Sequence, residues 1–71
     1  MKTRKQFNRE SKELYNKHGN DTWLKSMYHT DVTQETHNEV IAEYPRLSFA
    51  DMLYVQYLKD HGKYNGIAHI S

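Results

Sequence analysis

The chain contains no cysteine and a single proline, and its three glycines stand apart from one another. Without thiols, neither a disulfide nor a thiolate-bound zinc can staple the fold. Isolated glycines make no phosphate-cradling loop and no dinucleotide fingerprint. No apolar run is long enough to cross a bilayer, and the basic opening MKTRKQFNRESKELY is not followed by the apolar segment of a signal peptide, so the cytoplasm is the expected compartment. No two histidines are spaced i, i+4, and no acidic pair is set with a histidine at a spacing that suggests proton transfer. Four short helices also leave little room for a cleft. The sequence therefore predicts a protein that is not an enzyme, with no cofactor and no metal.

What is present is charge and aromatic area. The 71 residues suit one helical domain over 1–71, whose core supplies no more than roughly 3–5 kcal/mol without a staple. Charged residues make up 27% and hydrophobic ones 37%, a polar balance, yet nine aromatics, six of them tyrosine, argue against disorder. The net charge of +1 conceals an asymmetry. Residues 1–19 carry six Lys/Arg against two Glu, whereas residues 20–44 carry Lys25 against Asp21, Asp31, Glu35, Glu39 and Glu43. One end of the chain can attract what the next segment repels.

Apolar periodicity and punctuation predict an all-α fold of four helices, about 3–18, 22–29, 33–44 and 49–61, followed by an extended C-terminal tail. In the first, ended by Gly19, Phe7, Ser11, Leu14 and His18 share a face with Tyr15 at its margin. Lys2, Lys5, Arg9 and Lys12 form a stripe opposite. That stripe is either a solvated face or a surface for phosphate or an acidic partner. In the second, with Asp21 as N-cap, Trp23 is the largest available burial and is expected to anchor the core. In the third, Thr33, His37, Val40, Ile41 and Tyr44 face inward, while Glu35, Glu39 and Glu43 make an outer row whose repulsion means either that the lost stability is not needed or that a cation meets the row, the basic stripe of the first helix, in the chain or on a second copy, being one candidate.

Pro45 ends the third helix, and Ser48 with Asp51 starts the fourth as a capping box. Gly62 stops it. Here Phe49, Leu53 and Tyr57 form one apolar row, Tyr54, Leu58 and His61 a second, and Met52 and Val55 reach towards a third. A helix apolar nearly all round is buried nearly all round, so it is central to the bundle or covered on one side by another protein. Among the five histidines, His18 and His37 are placed on inner faces as structural rings, and His61 sits at a helix C-terminus, where the macrodipole favours positive charge. His29 and Asp31 offer two loop ligands, too few to specify a metal.

Residues 38–57 have a helix-turn-helix rhythm, with Ala42 at the crossing and Ile41, Leu47, Met52 and Val55 at packing positions. Over about a third of the chain, the helix–EYPRLS–helix rhythm resembles small antitoxin-type proteins. The charge is wrong for a groove: Arg46 stands against Glu39, Glu43 and Asp51. The sequence points instead to a protein-interaction module that binds and inhibits or redirects a larger protein. Its contacts are expected at Met52, Tyr54, Val55 and Lys59, and at Glu35, Glu39 and Glu43. In character it resembles the accessory proteins of bacteriophages and other mobile elements. The alternative is a nucleic-acid-binding regulator that uses residues 38–57 and phosphate contacts from Lys2, Lys5, Arg9 and Lys12. A homodimer pairing the basic and acidic helices is compatible with either.

Overall fold

The computed structural model describes residues 1–20 and 22–67. It contains four helices: α1 (Arg4–His18), α2 (Thr22–Tyr28), α3 (Gln34–Glu43) and α4 (Phe49–Asp60). Three of the expected boundaries shift by one residue because threonine and tyrosine act as caps. Thr3 and Thr33 lie in extended conformation and accept from the backbone N–H three residues on, and Tyr44 closes α3. The expected cap at Asp21 and the end of the tail, residues 68–71, lie outside the described residues. α2 ends one residue early, where His29 takes φ +53°, a left-handed conformation that histidine tolerates better than most residues.

Both ends of α4 carry their full hydrogen-bonding motifs. Ser48 and Asp51 form the reciprocal capping box. At the other end Gly62 N–H donates to the Lys59 carbonyl at 3.1 Å and Lys63 N–H to the Leu58 carbonyl at 2.8 Å, with Gly62 at φ +66°. That is the Schellman arrangement, which satisfies carbonyls the helix end would otherwise leave open.

Between these ends, α4 is the central helix. Leu53 and Val55 point about 200° apart on it and both are fully buried. α1, α2 and α3 each pack against it. Phe7 of α1, Leu24 of α2, Val40 of α3 and Ile67 beyond α4 complete the core. The apolar circumference of α4 is thus covered by its own chain.

Two aromatic expectations change place. Trp23 is 49% exposed and stacks on His18, with ring centroids 4.1 Å apart. The aromatic that anchors α1 to α2 is Tyr28, which stacks on Phe7 at 3.8 Å and donates its hydroxyl to the Phe7 carbonyl at 3.2 Å. Leu24 and Tyr28 are one turn apart and set the inner face of α2, so Trp23, about 100° round from Leu24, is turned outward.

α3 is also rotated from its expected setting. Thr36 and Val40 are buried, whereas His37 and Ile41 are exposed. Gln56 of α4 explains the turn: its amide oxygen accepts from the hydroxyls of both Thr33 and Thr36. Its amide nitrogen donates to Asp60 at 2.9 Å, and Asp60 accepts from Thr30 at 2.7 Å. These bonds hold the Asp60 carboxyl below the usual carboxylate range. A buried glutamine with its acceptors and donors filled orients α3 more strongly than the apolar pattern does.

Candidate partner-binding surface

Of the residues expected to meet a partner, Met52, Tyr54 and Val55 are corrected first. All three are buried, Val55 completely, and the Tyr54 hydroxyl donates to the Lys2 carbonyl at 3.2 Å. They belong to the core of α4 and present no surface.

The acidic row finds its cation inside the chain. Lys59 Nζ lies 2.7 Å from Glu39 and 3.4 Å from Glu35, and 5.3 Å from the centre of the Tyr64 ring. Burial works against the Lys59 ammonium, but its two carboxylate partners outweigh burial and hold its proton above the ordinary lysine range. Lys59, Glu35 and Glu39 therefore form one cluster that joins α3, α4 and the segment after Gly62. Glu43 is exposed and in no ion pair among the described residues.

The basic stripe divides. Lys2 precedes α1, pairs with Glu10 and lies 4.8 Å above the Tyr28 ring. The Glu10 hydrogen bond raises its pKa above the ordinary lysine value. Lys5, Arg9 and Lys12 are exposed, and among the described residues no carboxylate pairs with them. At i, i+4 and i+7 they follow one side of α1 over about 10 Å.

Beside them lies an open apolar groove of about 400 Å³, lined by Asn8, Ser11, Lys12, Tyr15, Leu24, Ser48, Phe49 and Ala50. Its floor is made where α1, α2 and the first turn of α4 meet. Asp51 fixes that junction. Its carboxylate is 5% exposed, accepts from Arg4 and Asn8 of α1 at 2.9 Å each, and caps α4 through Ser48. Burial pushes the Asp51 carboxyl up, but the bonds from Arg4, Asn8 and Ser48 together hold it below the usual range.

Tyr15, in the groove lining, is 49% exposed. Elsewhere on α2, outside that lining, Trp23 and Met27 stand one turn apart and are also exposed, Met27 at 57%. Lys25 of the same helix lies 5.8 Å over the Phe49 ring.

No protein-family model, curated protein or solved structure matches the chain. Function must be argued from these residues alone.

The sequence contained a signal for this surface. Trp23 and Leu24 are adjacent in a seven-residue helix, so both cannot face inward. Tyr15 falls on the seam between the apolar face of α1 and Lys12, where an aromatic is half covered at most. Phe49 and Ala50 could not be assigned to a groove without knowing where α1 crosses α4. The other candidate cluster, His29 and Asp31, lies on a polar surface with Thr22, Lys25, Ser26 and Thr30. There Lys25 pairs with Asp31 at 3.7 Å, which places a cation where a metal would have to sit. No helix among the described residues is long and apolar enough to cross a membrane.

Proposed function

We propose that the chain is a small, non-enzymatic protein-interaction module of the cytoplasm that binds a larger protein and inhibits or redirects it, in the manner of phage accessory proteins. The observation that supports this reading is the exposure of Tyr15 in an apolar groove and of Trp23 and Met27 on α2, the helix that contributes Leu24 to that groove. Aromatic and methionine side chains left open on one part of a small surface are the usual anchors of protein interfaces. The surface on offer is the α1–α2 side rather than α4, because α4 is occupied by its own chain.

A second reading, a nucleic-acid-binding regulator, is favoured by the exposed cations Lys5, Arg9 and Lys12. It must place them on phosphates without help from α4, whose buried circumference leaves no face for a DNA groove. The two readings separate in one experiment. The tagged chain and its Trp23→Ala/Met27→Ala variant are used to capture proteins from lysate, with helicity checked by circular dichroism. The proposal expects a partner that is retained by the parent and lost by the folded variant. Equal retention by both, together with tight, sequence-selective nucleic-acid binding in a gel shift at low salt, overturns it.

A further inference from the structure

We infer that the groove between α1, α2 and the start of α4 takes an acidic amphipathic helix of the partner protein. Its apolar side lies against Tyr15, Leu24, Phe49 and Ala50, and its carboxylates meet Lys5, Arg9 and Lys12. The inference rests on the interaction reading above and narrows it to a site and a chemistry.

Three observations carry it. First, the groove walls are mostly apolar, and the Asn8 amide nitrogen and the Ser48 hydroxyl below are engaged on Asp51, which leaves the buried Asn8 Oδ1 as the one acceptor there without a partner among the described residues. An incoming segment is therefore held there by apolar contact. Second, among the described residues no carboxylate lines the groove, and Lys12 lies on its edge. Lys5 and Arg9 continue from Lys12 along α1 at a rise that matches carboxylates at i, i+4 and i+7 on a helix lying alongside. Complementary charge at such a rim fixes register and speeds encounter more than it adds affinity. Third, the obvious internal occupant of the stripe is engaged elsewhere. Glu35 and Glu39 of α3 share Lys59, so Glu43 is the one carboxylate of that row that a second copy of the chain offers without an ion pair among the described residues. A foreign acidic helix satisfies the stripe better than self-association does.

Nucleic acid fits the same cations less well. Three positive charges make a weak phosphate track, and the aromatic rings in the groove walls, Tyr15 and Phe49, are two platforms at most for a base.

The test is a titration of the full chain followed by its amide chemical shifts. The probes are a four-turn helical peptide with glutamates at i, i+4 and i+7 beside a row of leucines, the same peptide with glutamine for glutamate, and a single-stranded oligonucleotide. The inference expects the glutamate peptide to shift Tyr15, Leu24, Phe49 and Ala50. The glutamine peptide, and Arg9→Glu/Lys12→Glu with the glutamate peptide, should bind at least about tenfold more weakly. Ala50→Arg, which fills the open groove, should abolish the shifts while leaving helicity intact. Equal binding of both peptides overturns the inference, as does an oligonucleotide that displaces the peptide, or a salt-dependent dimer that blocks it in sedimentation. Shifts confined to Trp23 and Met27 overturn it too, yet leave the broader interaction reading standing. That reading falls only with the capture experiment.

Discussion

Removing the Asp51 side chain should be the most damaging single polar change in the protein. Asp51→Ala deletes the capping box of α4, worth about 0.5–2 kcal/mol. It also deletes the acceptor shared by Arg4 and Asn8, each bond to a buried carboxylate being worth about 1.5–3 kcal/mol. The Arg4 side chain is about one-third exposed, so solvent screening puts its bond at the low end of that range. These contributions sum to about 3.5–6.5 kcal/mol, and because they share one carboxylate the expected loss lies near the lower end, about 3.5–4.5 kcal/mol, out of a total of about 4–10 kcal/mol for a chain of this length. Asp51→Asn keeps the shape and an oxygen for Ser48 and should lose about 1–2 kcal/mol. Urea unfolding followed by far-UV circular dichroism gives both numbers. The pH dependence supplies a second check. Because the folded state lowers the Asp51 pKa, its carboxylate stabilises the fold above the unfolded value. That contribution fades as the pH falls through the lower folded value, so the gap between parent and Asp51→Asn should close in acid. A loss below about 1 kcal/mol for Asp51→Ala, or a gap that stays constant in acid, would refute this account of the α1–α4 junction.

Gln56→Leu should cost about 1–3 kcal/mol by thermal melting, because it leaves the buried Thr36 hydroxyl, and the more exposed Thr33 hydroxyl beside it, without their acceptor. A neutral result would mean that the apolar pattern, not this network, sets the rotation of α3. Trp23→Ala should cost less than about 1 kcal/mol, since the indole is half exposed. A cost as large as that of Val55→Ala, measured alongside it, would place the indole in the core.

The four helices, the capping box and glycine stop of α4, and the centrality of α4 were legible because each depends on neighbours in sequence, whereas Thr3, Thr33 and Tyr44 were read as helical residues and turn out to be caps. Ser48 with Asp51, Gly62, and apolar rows on every side of α4 need no knowledge of the other helices. What was not legible depends on how helices meet. The choice between Trp23 and Tyr28 as the inner aromatic of α2 is made by Phe7, which offers a ring to stack on and a carbonyl to accept the hydroxyl. The rotation of α3 is set by one glutamine on another helix. Met52, Tyr54 and Val55 looked available to a partner because the covering of α4 can be supplied from within or from outside, and periodicity is the same in both cases. The basic stripe of α1 was named as a candidate cation for the acidic row, but the structure pairs Glu35 and Glu39 with Lys59 and Lys2 with Glu10, and leaves Lys12 on the edge of a groove that joins three segments.

The helix that organises this protein follows, in chain order, the three that pack on it. Phe7 finds its shelter against Tyr54 and Tyr57, and Arg4 reaches Asp51 across a separation of 47 residues. Until α4 has emerged, α1 and α2 can meet through Tyr28 on Phe7, but α3 has little to dock on, and Leu24, Val40 and the far side of Phe7 stay open to water and to other chains. For a helical chain this makes closure a meeting of distant segments rather than a zipping of adjacent ones, which slows folding relative to an up-down bundle of equal length. The growing polypeptide is therefore most exposed to capture by chaperones, proteases or its own kind in the interval before residues 49–60 clear the exit tunnel.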